Sequence, residues 1–191
     1  MNDRKKNLRE FQARLSERLR QAASGAAPTA RLGVQVGSRR LLVELSEAGE
    51  VVPLPQTIAP VPLTRDWFRG LVNLRGSLYA VSDLTRFVGD SFTPASREAR
   101  LIAFAPRLGL NASVVVARML GLQNVEAMKP ADGSEASGND DSGTRANGHE
   151  SAGGERPAWL GADWIDAEGR VWTELSLARL AIDDRFMTVA R

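Results

Sequence analysis

Cysteine is missing from the 191-residue chain, and histidine occurs once, as His149. The first absence removes disulfides, thiolate metal sites and cysteine nucleophiles, and fits a reducing compartment. The second removes most zinc sites, His-based triads and imidazole proton shuttles, because the lone imidazole stands in a Gly/Ser/Asp stretch without an apolar neighbour. Lysine is scarce too, confined to Lys5, Lys6 and Lys129. A serine or threonine nucleophile therefore has no ordered base to take its proton. No glycine-rich loop leads from a strand into a long helix, so nothing supports a nucleotide site. Long apolar runs are also lacking. The longest, such as Leu101–Ala105, fall far short of the roughly 20 residues of a membrane-spanning helix. The polar start Met1-Asn2-Asp3-Arg4 carries no secretory signal, so the expected address is the cytoplasm, without direct membrane insertion. Charge of one sign is wanting as well: 25 Lys plus Arg against 23 Asp plus Glu leave +2. The positive residues are mostly dispersed arginines rather than the continuous basic stripe that a nucleic-acid or anionic-membrane surface requires.

What is present is periodic. Leu8, Phe11, Leu15, Leu19 and Ala22 recur at steps of three and four, which predicts an amphipathic helix over residues 3–24. Its start holds the one local basic cluster, Arg4, Lys5, Lys6 and Arg9. From Leu32 the period falls to about two, the spacing of strands. Leu32–Val36 and Arg39–Val43 flank Gly37-Ser38, a pair suited to a type II′ hairpin turn. Four prolines between Pro53 and Pro62 restrict that stretch to edge strand or extended loop. A second hairpin is expected around Arg75-Gly76, then a short helix to Phe87 capped by Ser82 or Asp83. A third joins Leu101–Phe104 to Ala112–Val116. Residues 129–157 hold no apolar side chain larger than Ala, with Gly at 133, 138, 143, 148 and 153, and read as a flexible insert.

The parts repeat. Trp159-Leu160-Gly161 leads through a strand, the turn Asp166–Gly169, a second strand and a helical turn capped by Ser176. Trp67-Phe68-Arg69-Gly70 leads through the same grammar to Phe87, with Gly70 answering Gly161, Leu84 answering Leu177 and Arg86 answering Arg179. Two related hairpin-rich halves follow, each too small to bury a good core alone. Asp163, Asp166, Glu168 and Glu174 stand close enough for acid and base work, yet Asp166-Ala167-Glu168-Gly169 is accounted for as a turn. What remains is a mainly all-β chain without a visible catalytic set, with Arg75 at the tip of a turn.

The run Trp67-Phe68-Arg69-Gly70-Leu71-Val72-Asn73-Leu74-Arg75-Gly76, followed by Ala80-Val81-Ser82-Asp83-Leu84, resembles the hallmark of the CheW coupling-protein family. Gly49-Glu50-Val51-Val52 and Pro60-Val61-Pro62 fit the same pattern, and the likeness spans roughly residues 31–128 and 157–182. The basic N-terminal helix makes the chain look closest to the members that serve type IV pilus twitching motility. Gly49 departs from the pattern, where the family tends to carry a larger residue.

The resemblance implies a CheW-like fold: two small five-stranded barrels of the Src-homology-3 type packed about a shared apolar seam. The expected division is an N-terminal helix and linker (1–29) and a CheW-like domain (30–185). Within it lie a first barrel at about 30–95 and a second at about 96–185, with the insert 129–157 and a tail at 186–191. It implies binding without catalysis, and no cofactor or metal. The expected partners are the cytoplasmic tip of a methyl-accepting chemoreceptor and the regulatory domain of a CheA-type histidine kinase. Receptor contact is expected around Glu50, Val52, Val72, Leu74 and Arg75, with Glu50 the acidic partner of Arg75. The rival reading from another class is a small-barrel nucleic-acid binder. Tyr79 and Arg86 come nearest to the interleaved aromatic and basic face it would need, and neighbouring acidic residues count against it.

Overall fold

The computed structural model describes residues 30–131 and 156–191. The helix expected over 3–24, His149 and most of the insert lie outside the described residues. Two mixed sheets carry the fold. The strands are β1 (Ala30–Val36), β2 (Arg39–Glu44), β3 (Ala48–Pro53), β4 (Phe68–Leu74), β5 (Ser77–Asp83), β6 (Arg100–Phe104), β7 (Ala112–Val116), β8 (Arg118–Asn124), β9 (Lys129–Pro130), β10 (Leu160–Ile165) and β11 (Val171–Leu175). Their hydrogen-bonded orders are β8-β1-β2-β11-β10-β9 and β3-β6-β7-β5-β4, six strands and five. There are three single-turn α-helices among the described residues: α1 (Leu84–Phe87) after β5, α2 (Leu177–Leu180) after β11, and α3 (Asp184–Met187) after α2.

All three expected hairpins form. At Gly37-Ser38 only Gly37 has a positive φ, +57°, as a II′ turn requires. Asp83 rather than Ser82 caps α1, accepting from Arg86 N–H at 3.2 Å. Ser176 caps α2 in the same way. The echo extends to a backbone contact. Asp83 N–H donates to Trp67 O at 2.7 Å, and Ser176 N–H donates to Trp159 O at 2.9 Å.

Burial explains the uninterrupted apolar runs of the central strands. Ile102, Phe104, Val114 and Val116 face one large cluster shared with Val34, Val36, Leu41, Val43 and Leu175 from the other sheet. Leu101 and Val115, on the opposite face of the same strands, join Val72 and Val81 in a small private core. Leu42 and Trp172 do likewise with Val125 and Met128. A strand buried on both faces has no polar side to alternate with.

The grouping of strands differs from a split near residue 95. β6 and β7 belong with β3, β4 and β5, through the parallel pairing of β5 with β7. The second sheet is completed by the N-terminal hairpin β1–β2, through the parallel pairing of β2 with β11. The beginning of the expected insert is also ordered, since Lys129–Pro130 pairs with β10.

Nor do the last residues form a loose tail. Phe186 is 4% exposed and stacks between Trp67, with centroids 5.8 Å apart, and Phe104, at 6.0 Å. Behind it, Arg65 N–H donates to Val189 O at 2.8 Å and Arg191 N–H to Leu63 O at 3.0 Å. Burial of the ring, worth about 1.5–3 kcal/mol, and these backbone hydrogen bonds together offset part of the chain entropy lost in ordering the segment.

Candidate functional site

The turn between β4 and β5 is built from two residues of positive φ, Arg75 at +49° and Gly76 at +89°. This is the type I′ arrangement that matches strand twist. Gly takes such a φ freely, whereas Arg pays a Cβ clash of about 1 kcal/mol or more. Asn73 Oδ1 accepts from Gly76 N–H at 2.8 Å and holds the turn.

Glu50 reaches Arg75 from the other end of the sheet. β3 and β4 are the two terminal strands of their five-stranded order, yet Arg75 Nε and Nη2 lie 3.1 and 3.0 Å from Glu50 Oε1. The sheet must roll to bring its edges together. The proline segment fills the gap lower down, where Ala59 and Leu71 exchange backbone hydrogen bonds of 2.9 and 2.8 Å. Gly70 permits that approach, since a Cβ there would sit 2.1 Å from Ala59 O. Gly49 has a similar reason. A Cβ at that position would lie 2.9 Å from Phe104 O, next to the register shift between Ala48 and Val51. The small residue lets β3 bulge and present Glu50.

The five expected contact residues are brought together in two tiers. The Arg75 side chain is 84% exposed and that of Glu50 31%. An ion pair so exposed contributes only about 0–1 kcal/mol to folding. Val52 and Leu74 are half-buried against the private core of this sheet, while Val72 is buried, 8% exposed, and supports the site from within. Val51 on β3 and Leu78 on β5, which the sequence did not single out, are large apolar side chains left 39% and 60% exposed. The shift at Gly49 breaks the alternation from which Val51 would have been placed.

Several buried or half-buried carboxylates elsewhere serve the fold. Asp83 is fully buried and accepts from Thr93 N–H (3.0 Å), Thr93 Oγ1 (2.8 Å) and Arg69 Nη1 (3.1 Å) as well as from Arg86 N–H. Glu47, also buried, accepts from Ser176 Oγ at 3.0 Å and from Leu177 N–H at 2.6 Å, reinforcing the α2 cap from a loop 130 residues away in sequence. No local pattern marked it. Trp164 Nε1 donates to Glu174 at 3.1 Å, and Thr173 Oγ1 to Asp163 at 2.6 Å. Burial pushes the Asp163 carboxyl up, but hydrogen bonds from Arg156 and Thr173 outweigh it and leave the group below its ordinary value. At Asp166 the same upward push of burial is overcome by Trp172 and Arg170, and the carboxyl lies far below its ordinary range.

Among the described residues no group of three or more His, Asp or Glu is placed to hold a metal ion. Tyr79 packs against the private core, and Arg86 is tied to Asp66 at 2.7 Å. Those two side chains do not form a stacking face for bases.

Three likenesses bear on this arrangement. The family model for the CheW-like domain matches residues 31–151. Protein PilI of Pseudomonas aeruginosa is 28% identical over 93 residues, which is 49% of this chain and 51% of that protein. The chain thus matches about half the length of that relative. The crystal structure of the scaffolding protein TtCheW from Thermoanaerobacter tengcongensis superposes with a TM-score of 0.57, covering 79% of this chain and 90% of that one. At 17% identity this is a likeness of fold.

Proposed function

The chain belongs to the CheW-like domain family, and from that premise we propose that it is a binding adaptor of a chemosensory pathway serving type IV pili. In this reading it works in the cytoplasm without catalysis. It holds the cytoplasmic tip of a methyl-accepting receptor on one face and the regulatory domain of a CheA-type histidine kinase on another.

The observation that carries the reading is the Glu50–Arg75 pair. A cation is fixed at the tip of a strained turn, tied to the opposite sheet edge, and left 84% exposed. Val52 and Leu74 lie half-buried on the same two strands. Folding gains little from that pair, whereas a helical receptor tip gains a charged fixture that sets its register beside an apolar strip. The type IV pilus assignment is supported by the likeness to PilI. No helix among the described residues is long and apolar enough to cross a membrane.

Titration calorimetry of the full chain with a soluble receptor-tip fragment tests the receptor half. Arg75→Glu is expected to weaken binding by about 2 kcal/mol or more, the scale of an interface hot spot, while the melting temperature barely moves. Undiminished affinity in that variant would remove Arg75 from the interface. Failure of the parent chain to bind either a receptor tip or a kinase fragment would overturn the adaptor reading itself.

A further inference from the structure

Arg69, Arg75, Arg86, Arg156 and Arg170 each reach a carboxylate. Two arginines on one face of the six-stranded sheet are placed differently. Gln35 on β1 stands opposite Arg40 on β2. On its other side Arg118, at the start of β8, donates from Nε to Gln35 Oε1 at 2.8 Å, and Ala117 N–H donates to Gln35 O at 2.8 Å. Gln35 Nε2 in turn donates to Gly37 O at 3.0 Å. The amide is thereby fixed with its oxygen toward Arg118. Arg118 is thus oriented by a neutral partner, and its terminal nitrogens make no hydrogen bond or ion pair among the described residues. Arg40 is half-buried and makes no ion pair or side-chain hydrogen bond among the described residues. In the turn before β11, Asp166 and Glu168 are both engaged by Arg170.

We propose that the rung Arg118–Gln35–Arg40 is a docking site for an extended acidic segment of a partner protein, with carboxylates at alternate positions. Two strand spacings separate the arginines by about 10 Å at the backbone, and alternate residues of an extended chain lie about 7 Å apart. Long guanidinium side chains close that difference and grip carboxylates bidentately. Such a segment lies across the strands on this face, because the two arginines are displaced along the hydrogen-bonding direction of the sheet. The site does not suit single-stranded nucleic acid. Bases need an exposed ring to stack on, and the aromatic residue of the adjoining strand, Trp172, is 2% exposed. This face is distinct from the Glu50–Arg75 pair and does not depend on the receptor reading.

The test is fluorescence anisotropy of the full chain with a short dye-labelled peptide that alternates Glu and Thr, at about 50 mM salt, where screening is weak. The parent is expected to bind. Arg40→Glu with Arg118→Glu should weaken binding by at least about tenfold. Gln35→Leu, which removes no charge but frees Arg118, should weaken it less. Arg97→Glu, the same kind of reversal at one site on an exposed loop, should leave affinity unchanged. No binding by the parent, or an equal loss in Arg97→Glu, overturns the site. An oligothymidylate of matched charge that binds as tightly and competes would also overturn it, by showing a general polyanion surface.

Discussion

Set side by side, the two sheets share one plan. The order β3-β6-β7-β5-β4 is repeated as β8-β1-β2-β11-β10, with β9 added at the edge. Each has an outer strand, a hairpin, a parallel join, and then strand, turn, strand and capped helix. They differ at the cap and at the tip. The first half caps its helix with Asp83, a fully buried carboxylate with four donors, and ends its hairpin in an exposed cation. The second caps with Ser176 and relies on Glu47 from the turn that joins β2 to β3. Its hairpin tip carries carboxylates already paired with Arg170. One backbone grammar thus yields a tip that offers charge and a tip that conceals it, which is why the fold alone does not assign the work.

The caps should separate the halves most strongly. Removing the Asp83 carboxylate leaves the buried donors of Thr93 and a half-buried Arg69 without an acceptor, and breaking a buried pair costs about 3–5 kcal/mol. Ser176→Ala removes one capping acceptor while Glu47 still receives Leu177 N–H, so about 1 kcal/mol is expected. Denaturant unfolding of Asp83→Ala, Asp83→Asn and Ser176→Ala measures this, with the isosteric Asn between the other two. Equal losses for Asp83→Ala and Ser176→Ala would mean that the two caps are equivalent after all.

Acid should expose the second difference. The Asp166 carboxyl lies far below the ordinary aspartate value in the folded chain. Its contribution is therefore fully present above the unfolded value and lost as pH falls through and below it. Asp66, lowered by its hydrogen bond to Arg86, follows the same sign. Thermal unfolding followed from pH 5 downward should show a steep acid limb in the parent. Asp166→Asn starts less stable and flattens that limb, and Asp66→Asn flattens it less. The reverse order would shift the acid-sensitive contact to the first half.

Sequence disclosed what is decided within a few residues. Gly37-Ser38, Arg75-Gly76 and the caps at Asp83 and Ser176 are local chemistry, and they were readable. The parallel joins β5–β7 and β2–β11 were not, because no residue near Val81 or Leu41 records which distant strand will lie beside it. Phe186 was lost for a related reason: one ring among Asp183, Asp184 and Arg185 has no period, and only the pocket formed by Trp67, Phe87 and Phe104 explains it. β8 was obscured by Gly121, whose φ of +81° interrupts the alternation. For the site, family resemblance supplied the expectation that Glu50 and Arg75 belong together. The bulge at Gly49 that makes the pairing possible depends on the closeness of Phe104 O, a fact of three dimensions.

The smallest effect tests whether the exposed tip is kept for folding at all. Arg75→Ala and Arg75→Gly both delete the ion pair with Glu50, worth about 0–1 kcal/mol at this exposure. They differ at the backbone, where Ala retains the unfavourable φ of +49° and Gly does not. Gly should therefore exceed Ala by about 1 kcal/mol in unfolding free energy and match or slightly surpass the parent. A chain more stable without its arginine would show that the turn carries Arg75 against the interest of folding, which is expected of a residue held for a partner. If Gly instead falls below both Ala and the parent, the ion pair is a structural brace of the rolled sheet, and the case for a contact residue weakens accordingly.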